Sequence, residues 1–67
     1  MVERRPRVWI TGAGGFIGSE LARQAHSLAP GWAVIPLARA ELDLTEEAQV
    51  ATRFHEERPE VVIHCAG

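Results

Sequence analysis

Three evenly spaced glycines form the pattern in this sequence that best indicates a ligand-binding site. Gly12, Gly15 and Gly18 stand three positions apart, and Gly14 adds another glycine inside the same stretch. At the start of a helix, free backbone N–H groups and the aligned peptide dipoles attract a pyrophosphate, while side chains would block its approach. The interval between the first two glycines is one residue longer than in the common G-x-G-x-x-G dinucleotide fingerprint. The spacing therefore predicts a variant of that phosphate-binding turn.

Each glycine has an expected role by analogy with dinucleotide-binding turns. Gly12 allows the tight turn, Gly14 or Gly15 admits the phosphates, and Gly18 lets the helix pack against the first strand. The alternative is a loop whose glycines serve turn geometry alone. The flanking segments favour phosphate binding, because a strand-like segment precedes the glycines and an amphipathic helix follows them.

Strand-like and helix-like segments alternate along the chain. Residues 7–11 (RVWIT) predict a strand, and apolar spacing over residues 15–28 predicts a helix that ends at Pro30. Residues 32–37 predict a second strand, and residues 42–44 predict a very short third one. Thr45 is the predicted N-cap of a second helix, which should stop before Pro59. The apolar run at residues 61–66 predicts a strand covered on both faces.

This order predicts an α/β fold with a parallel, doubly wound sheet and right-handed crossovers. Counting residues 42–44 as strand 3 gives the spatial order 3-2-1-4. The 67 residues are few for such a fold and show no internal boundary. We therefore expect residues 1–67 to be the N-terminal part of a dinucleotide-binding domain, without a second domain.

Composition argues against several other classes of protein. The net charge of −2 gives no reason to expect nucleic acid or an anionic membrane as a partner. Cys65 is the single cysteine, and no apolar run is long enough for a signal peptide or a membrane span. A cytoplasmic protein is the default expectation. His64 and Cys65 are neighbours on a strand and should face opposite ways, so we expect no metal site and a structural hydrogen bond for His64.

Seven acidic residues fall between positions 41 and 60, and all but Asp43 are predicted to form the solvated side of the second helix. Trp9 and Trp32 are expected to pack in or near the sheet.

The glycine motif TGAGGFIG at residues 11–18 resembles the cofactor turn of the extended short-chain dehydrogenases/reductases. That Rossmann-fold family includes sugar-nucleotide epimerases, dehydratases and reductases. AELDLT at residues 40–45 and RPEVVIHCAG at residues 58–67 are similar to segments of the dTDP-4-dehydrorhamnose reductases. The resemblance covers essentially the whole chain and implies the first three to four strands of an NAD(P)-binding Rossmann fold.

The resemblance implies a nicotinamide dinucleotide as cofactor and a role for several residues. Phe16 and Ile17 would offer backbone amides to the pyrophosphate. Asp43 would accept a hydrogen bond from the adenine amino group, and Leu44 would contact the ring. The end of the last strand would line the path toward the adenosine ribose and the nicotinamide, through two residues, Ala66 and Gly67.

The catalytic residues of the family are a serine or threonine, a tyrosine, and a lysine four residues after it. This chain contains neither tyrosine nor lysine. The resemblance therefore implies that catalysis and nucleotide-sugar binding belong to a longer parent chain.

Arg39 bears on the choice of cofactor. Dinucleotide folds that prefer NAD carry an Asp or Glu at the end of the second strand, about 20 residues after the glycines. Here Arg39 stands near that place, and a guanidinium suits a 2′-phosphate, which favours NADPH over NAD. Glu41 remains able to reach a ribose, and Arg39 as a plain surface residue is the alternative.

The leading hypothesis is the cofactor-binding part of an NADPH-dependent reductase of a nucleotide-linked 4-keto sugar, as in dTDP-rhamnose biosynthesis. Two alternatives stay open. One is an NAD-dependent sugar-nucleotide epimerase or dehydratase, and the other is a non-catalytic dinucleotide-binding module.

Overall fold

The computed structural model describes residues 5–65 and contains a three-stranded parallel sheet with helices between the strands. The strand order is β2-β1-β3, with the first strand in the middle. This is the predicted α/β architecture, and it is consistent with a partial Rossmann-like fold. In chain order the elements are β1 (Arg7–Thr11), α1 (Phe16–Leu28), β2 (Ala33–Leu37), α2 (Glu47–Glu57) and β3 (Val61–His64).

The central strand β1 sends alternate side chains to opposite faces of the sheet, as the period of a strand requires. Val8 and Ile10 pack with Val34 and with Ala22 of α1. Trp9 is 2% exposed and faces the other way, where it packs with other apolar side chains. Two small apolar cores therefore lie on opposite faces of the sheet, and β1 contributes buried side chains to both.

Helix α2 is joined to the sheet mainly by long side chains. The rings of Trp9 and Phe54 meet edge to face, with their centroids 5.7 Å apart. Trp9 Nε1 donates to Glu57 Oε1 at 3.1 Å, and Arg7 Nη1 donates to the Glu57 carbonyl oxygen at 2.6 Å. The acidic residues of the second helix were predicted to be solvated, and this was wrong for Glu57. Its side chain and its carbonyl group accept hydrogen bonds from Trp9 and Arg7 of β1. Of the two tryptophans, Trp9 is buried in the sheet and Trp32 packs against the core on the α1 face.

The predicted short strand at residues 42–44 is absent, and the sheet order 3-2-1-4 is corrected to β2-β1-β3. Leu42 is buried, but as a single side chain beneath the loop, in contact with Trp9 and Leu37. Asp43 bonds locally to Thr45 instead of pairing with a neighbouring strand. The short apolar segment at residues 42–44 therefore reflects the burial of Leu42 and does not form a strand.

Thr45 is not the N-cap of the second helix, which begins at Glu47 with Glu46 as its cap and no side-chain capping bond. The Thr45 hydroxyl donates to Asp43 Oδ1 instead. The helix does end before Pro59, as predicted, because Arg58 takes a left-handed conformation with φ of 51°. Its N–H still reaches the Phe54 carbonyl oxygen at 2.8 Å.

Strand β3 was predicted to be covered on both faces, and in the described part of the chain it is not. Val61, Val62 and Ile63 are 39%, 48% and 38% exposed. They pair in parallel with Val8, Trp9 and Ile10 of β1, so the backbone register is the expected one. The two helices lie over β1 and β2, and β3 is an edge strand without a helix over it in the described part of the chain.

Helix α1 starts at Phe16 and β2 at Ala33, each one residue later than predicted. The last strand was predicted over residues 61–66, but β3 ends at His64 and Cys65 is outside it. Within residues 5–65, neither helix combines the length and the apolar character that a membrane crossing requires.

Candidate functional site

The glycine turn, residues 12–18, is shaped by two close backbone approaches. Gly12 has φ of +72°, and a Cβ there would lie 1.9 Å from the Cys65 carbonyl oxygen. A Cβ at Gly18 would lie 2.3 Å from the carbonyl oxygen of Gly12. Side chains avoid both the positive φ and such overlaps. Gly12 thus makes the tight turn against the end of β3, and Gly18 lets α1 pack onto that turn.

Gly14 and Gly15 have more room than the other two glycines. A Cβ on Gly14 would be 3.3 Å from the Ala38 Cβ, and one on Gly15 would be 3.5 Å from the Gly12 carbonyl oxygen. The second distance is ordinary contact, so packing within the described chain does not demand a glycine at position 15. The fold would tolerate a side chain at position 15, so the glycine there needs another explanation.

Phe16 and Ile17 begin α1, and their backbone N–H groups have no carbonyl one turn earlier to bond. Gly15 caps the helix in an extended conformation, with no side-chain capping bond. Two preceding N–H groups already have partners: that of Gly15 donates to the Gly12 carbonyl oxygen inside the turn, and that of Ala13 donates to the Leu37 carbonyl oxygen at the end of β2. The first amides of α1 are thus available to an anion.

Asp43 lies in the β2–α2 loop, residues 38–46, and its carboxylate is held by Thr45. Oδ1 accepts the Thr45 hydroxyl at 2.7 Å and the Thr45 N–H at 3.0 Å. These hydrogen bonds, the hydroxyl first, lower the pKa of the Asp43 carboxyl below its ordinary value. The carboxylate is therefore charged at neutral pH, with Oδ2 left facing Arg39.

Arg39 projects from the same loop. Its side chain is 85% exposed, and Nε lies 3.8 Å from Asp43 Oδ2. An ion pair this exposed contributes little stability. Arg39 is thus an exposed cation beside the carboxylate and remains able to bind another anion.

A groove of about 310 Å³ brings together four of the predicted site residues, Gly12, Arg39, Asp43 and Leu44. The other described residues predicted for the site do not line it, namely Gly14, Gly15, Phe16, Ile17 and Gly18. The groove runs between the first glycine of the turn, the β2–α2 loop and the end of β3. The residues that line it are Gly12, Arg39, Leu42, Asp43, Leu44, Thr45, His64 and Cys65. Parallel sheets bind ligands at this edge, outside the carboxyl ends of the strands. A larger concavity of about 670 Å³ along α2 contains no residue of the glycine turn.

Two predicted site residues, Ala66 and Gly67, lie outside the described residues. Their neighbour His64 accepts or donates a hydrogen bond with the Thr11 hydroxyl, whose oxygen is 2.8 Å from Nδ1. The structural hydrogen bond expected of His64 is therefore present. Among residues 5–65, no three His, Cys, Asp or Glu side chains gather in the manner of a metal site.

Sequence reasoning missed two residues that shape the groove. Thr45 orients Asp43, and the pattern Asp-x-Thr was a signal for such a local turn. The carbonyl of Cys65 lies against Gly12, a contact that no local pattern shows because 53 positions separate the two residues.

Comparison with known proteins matches the chain to one family model, described as RmlD substrate binding domain, over residues 6–67. A dTDP-4-dehydrorhamnose reductase of Streptomyces griseus is 44% identical over 63 residues, which are 94% of this chain and 20% of that protein. One from Mycolicibacterium smegmatis is 43% identical over 91% of this chain and 17% of its own length. A GDP-L-colitose synthase of Yersinia pseudotuberculosis is 33% identical over 91% of this chain and 19% of its own length.

The chain thus spans about a fifth of the length of the curated relatives it matches. No solved structure matches it at the stringency that these relatives meet.

Proposed function

Because the chain belongs to the RmlD substrate binding domain family, we propose that it forms the cofactor-binding part of an NADPH-dependent sugar-nucleotide reductase. The observation that carries the proposal is the groove in which Gly12, the first residue of the glycine turn, lies beside Arg39 and Asp43. A backbone anion site, a cation and a hydrogen-bond acceptor side by side match the pyrophosphate, the 2′-phosphate and the adenine of NADPH.

The glycine turn supports binding of the pyrophosphate. Phe16 and Ile17 supply helix-terminal N–H groups, and the helix dipole adds a partial positive charge where they converge. The open space at Gly15 lets a phosphate approach the backbone. We assign the pyrophosphate to this end of the groove, with Gly12, Gly14, Gly15 and Gly18 as its frame.

The β2–α2 loop supports binding of the adenosine. Asp43 has one carboxylate oxygen saturated by Thr45 and one that is not, and an adenine amino group is a suitable donor to the second. Leu44 is 46% exposed at the groove and offers an apolar surface to the base.

Arg39 supports NADPH over NADH. Its guanidinium is exposed and needs to leave only a weak contact with Asp43 to reach a 2′-phosphate. We assign the ribose and nicotinamide to Ala66 and Gly67, the two residues that follow Cys65 in the sequence.

The proposed reaction is reduction of a nucleotide-linked 4-keto sugar, because two of the relatives above are dTDP-4-dehydrorhamnose reductases. Bound NADPH would supply the hydride for such a reduction. The residues of this chain bind and orient the cofactor, and the chain holds no tyrosine or lysine to move a proton at the sugar. The sugar site and those groups would belong to a longer polypeptide.

Calorimetric titration of the chain with NADPH and NADH tests the proposal, because the two cofactors differ only in the 2′-phosphate. We expect NADPH to bind more tightly and to raise the melting temperature of the folded chain more than NADH does. Failure of both cofactors to bind would contradict the proposed function. Tighter binding of NADH would replace the reductase assignment with the NAD-dependent epimerase or dehydratase.

A further inference from the structure

A relay of polar contacts joins the buried centre of the sheet to the loop that carries Arg39 and Asp43. Trp9 Nε1 donates to Glu57 Oε1 at 3.1 Å, and Glu57 Oε2 accepts from Arg53 Nε at 2.5 Å. The other end of the same guanidinium, Nη1, donates to the Glu41 carbonyl oxygen at 3.2 Å. The relay thus starts at a fixed residue of β1 and ends two positions before Asp43.

The β2–α2 loop needs anchors because it is neither helix nor strand over residues 38–46. Inside the loop, the N–H groups of Glu41 and Leu42 both bond to the Ala38 carbonyl oxygen at 3.0 Å. Leu42 is 4% exposed and holds the loop to the core. The contact from Arg53 is an anchor of a different kind, because it comes from α2 and fixes the orientation of the peptide unit that follows Glu41.

The bond from Arg53 to the Glu41 carbonyl is itself exposed, but two features distinguish the Arg53–Glu57 pair behind it from a surface ion pair. The side chains of Arg53 and Glu57 are 34% and 23% exposed, whereas those of the comparable pair Arg23 and Glu20 on α1 are 71% and 46% exposed. Lower exposure weakens screening by solvent. A planar guanidinium also keeps Nη1 in a fixed direction once Nε is bound, which an ammonium group cannot do.

We propose that Arg53 is a positioning residue for the 2′-phosphate end of the cofactor site. It fixes the Glu41 carbonyl and thereby the direction in which the loop presents Arg39 and Asp43 to the groove. Arg53 itself does not line that groove. The inference rests on the proposed function, because it takes NADPH to lie beside the β2–α2 loop.

The expected consequence is a change in cofactor preference as well as in affinity. Arg39 has an exposed side chain with one weak contact, so its position depends mostly on the backbone of the loop. Asp43 has its own local bonds to Thr45 and depends less on Arg53. Loss of the anchor should therefore weaken the 2′-phosphate contact more than the adenine contact.

The test compares Arg53→Met, Arg53→Lys and the matched control Arg23→Met in the full chain, each titrated with NADPH and NADH. Arg23 also pairs with a glutamate on a helix but touches no loop that lines the groove. We expect Arg53→Met to weaken NADPH about fivefold to tenfold, as for loss of one hydrogen bond from a charged donor, and to change NADH less. Arg53→Lys should recover at most part of the loss, and Arg23→Met should bind both cofactors like the unmodified chain.

A fourth variant, Glu57→Gln, keeps an acceptor for Trp9 and removes the charge that holds Arg53. It should lower the preference for NADPH in the same direction by a smaller factor. It also carries the test if Arg53→Met fails to fold, which circular dichroism of each variant would reveal.

The outcomes separate the two proposals. Binding of neither cofactor by the unmodified chain overturns the proposed function and this inference with it. Normal NADPH binding by the unmodified chain, with an unchanged ratio of NADPH to NADH affinity in the folded Arg53 and Glu57 variants, overturns the inference alone. An equal loss for both cofactors also overturns it, because a merely structural role would produce that result.

Discussion

The glycine turn and the β2–α2 loop border the same groove but are built on different principles. In the turn, residues 12–18, the proposed ligand contacts are backbone N–H groups, and the shape follows from where a Cβ has no room. In the loop, residues 38–46, the proposed contacts are the side chains of Arg39 and Asp43. Those side chains are oriented by neighbours, namely Thr45 locally and Arg53 from α2.

Because they are built differently, the turn and the loop should respond to substitution in different ways. In the turn, substitutions at the crowded positions Gly12 and Gly18 should change stability together with binding, and Gly15 is the exception because a Cβ has room there. A side-chain site can be altered while the fold persists, so substitutions in the loop should change preference and leave stability nearly intact.

Gly18→Ala should give the largest effect, because its Cβ would lie 2.3 Å from the Gly12 carbonyl oxygen and 2.9 Å from its carbon. Backbone cannot yield as a flexible side chain does, and we expect the free energy of unfolding to fall by about 3 kcal/mol. Chemical denaturation followed by circular dichroism measures it. Gly31→Ala is the control, since nothing lies within 4 Å of a Cβ there. Equal stability of the two variants would show that the close approach at Gly18 is misassigned.

Gly15→Ala should separate binding from folding inside the turn itself. Its Cβ meets the Gly12 carbonyl oxygen at an ordinary 3.5 Å, so the melting temperature should change little. The added methyl group would occupy the approach to the first amides of α1, and we expect NADPH to bind about tenfold more weakly or worse, a cost of roughly 1.4 kcal/mol. Calorimetry gives the affinity. Unchanged affinity in this variant would remove the pyrophosphate from the turn.

Arg39→Met should change preference without changing stability. Loss of a charged donor to a phosphate should weaken NADPH binding about tenfold and leave NADH binding almost as it was. The melting temperature should stay the same, because the Arg39 side chain is exposed and its contact with Asp43 is weak. Parallel titrations with the two cofactors measure the ratio. An equal loss for both would place the 2′-phosphate elsewhere.

Thr45→Val should give the smallest effect, confined to the titration of Asp43. The Thr45 hydroxyl is the first cause of the lowered pKa, so its removal should raise the pKa of the Asp43 carboxyl toward 3.8. A depressed pKa stabilises the folded chain above the unfolded pKa, and this is lost as the pH falls through the folded pKa. In Thr45→Val the folded pKa moves closer to the unfolded one, so this carboxyl should contribute less stability and the loss should be complete at a higher pH. The titration midpoint of Asp43 can be measured by NMR of its carboxyl carbon across the acid range, with Thr52→Val as the control. A midpoint that does not shift in Thr45→Val would rule out the Thr45 hydroxyl as the cause of the lowered pKa.

The sequence predicted well those features that depend on local pattern. The bounds of β1 were confirmed at both ends, and α1 and α2 end where Pro30 and Pro59 indicated. The glycine turn could be recognised because its backbone geometry restricts residue type directly. The parallel order of the strands followed from the alternation of elements.

Features that depend on distant contacts could not be predicted in the same way. Leu42 was predicted to lie in a strand, because a loop with one buried side chain and a short buried strand give similar apolar runs in the sequence. Glu57 looked solvated because its partner Trp9 is 48 positions away. The apolar run of β3 indicated surfaces suited to burial, but it did not show whether α1 and α2 would cover them.

The central claim is that backbone amides at the start of α1 grip the pyrophosphate of the cofactor. It is tested most directly by amide NMR of the chain during titration with NADPH. We predict the largest shifts at Phe16, Ile17 and Gly18, with smaller ones at Asp43 and Leu44, all saturating at one affinity. Saturable binding that leaves the amides of residues 16–18 unmoved would contradict the account.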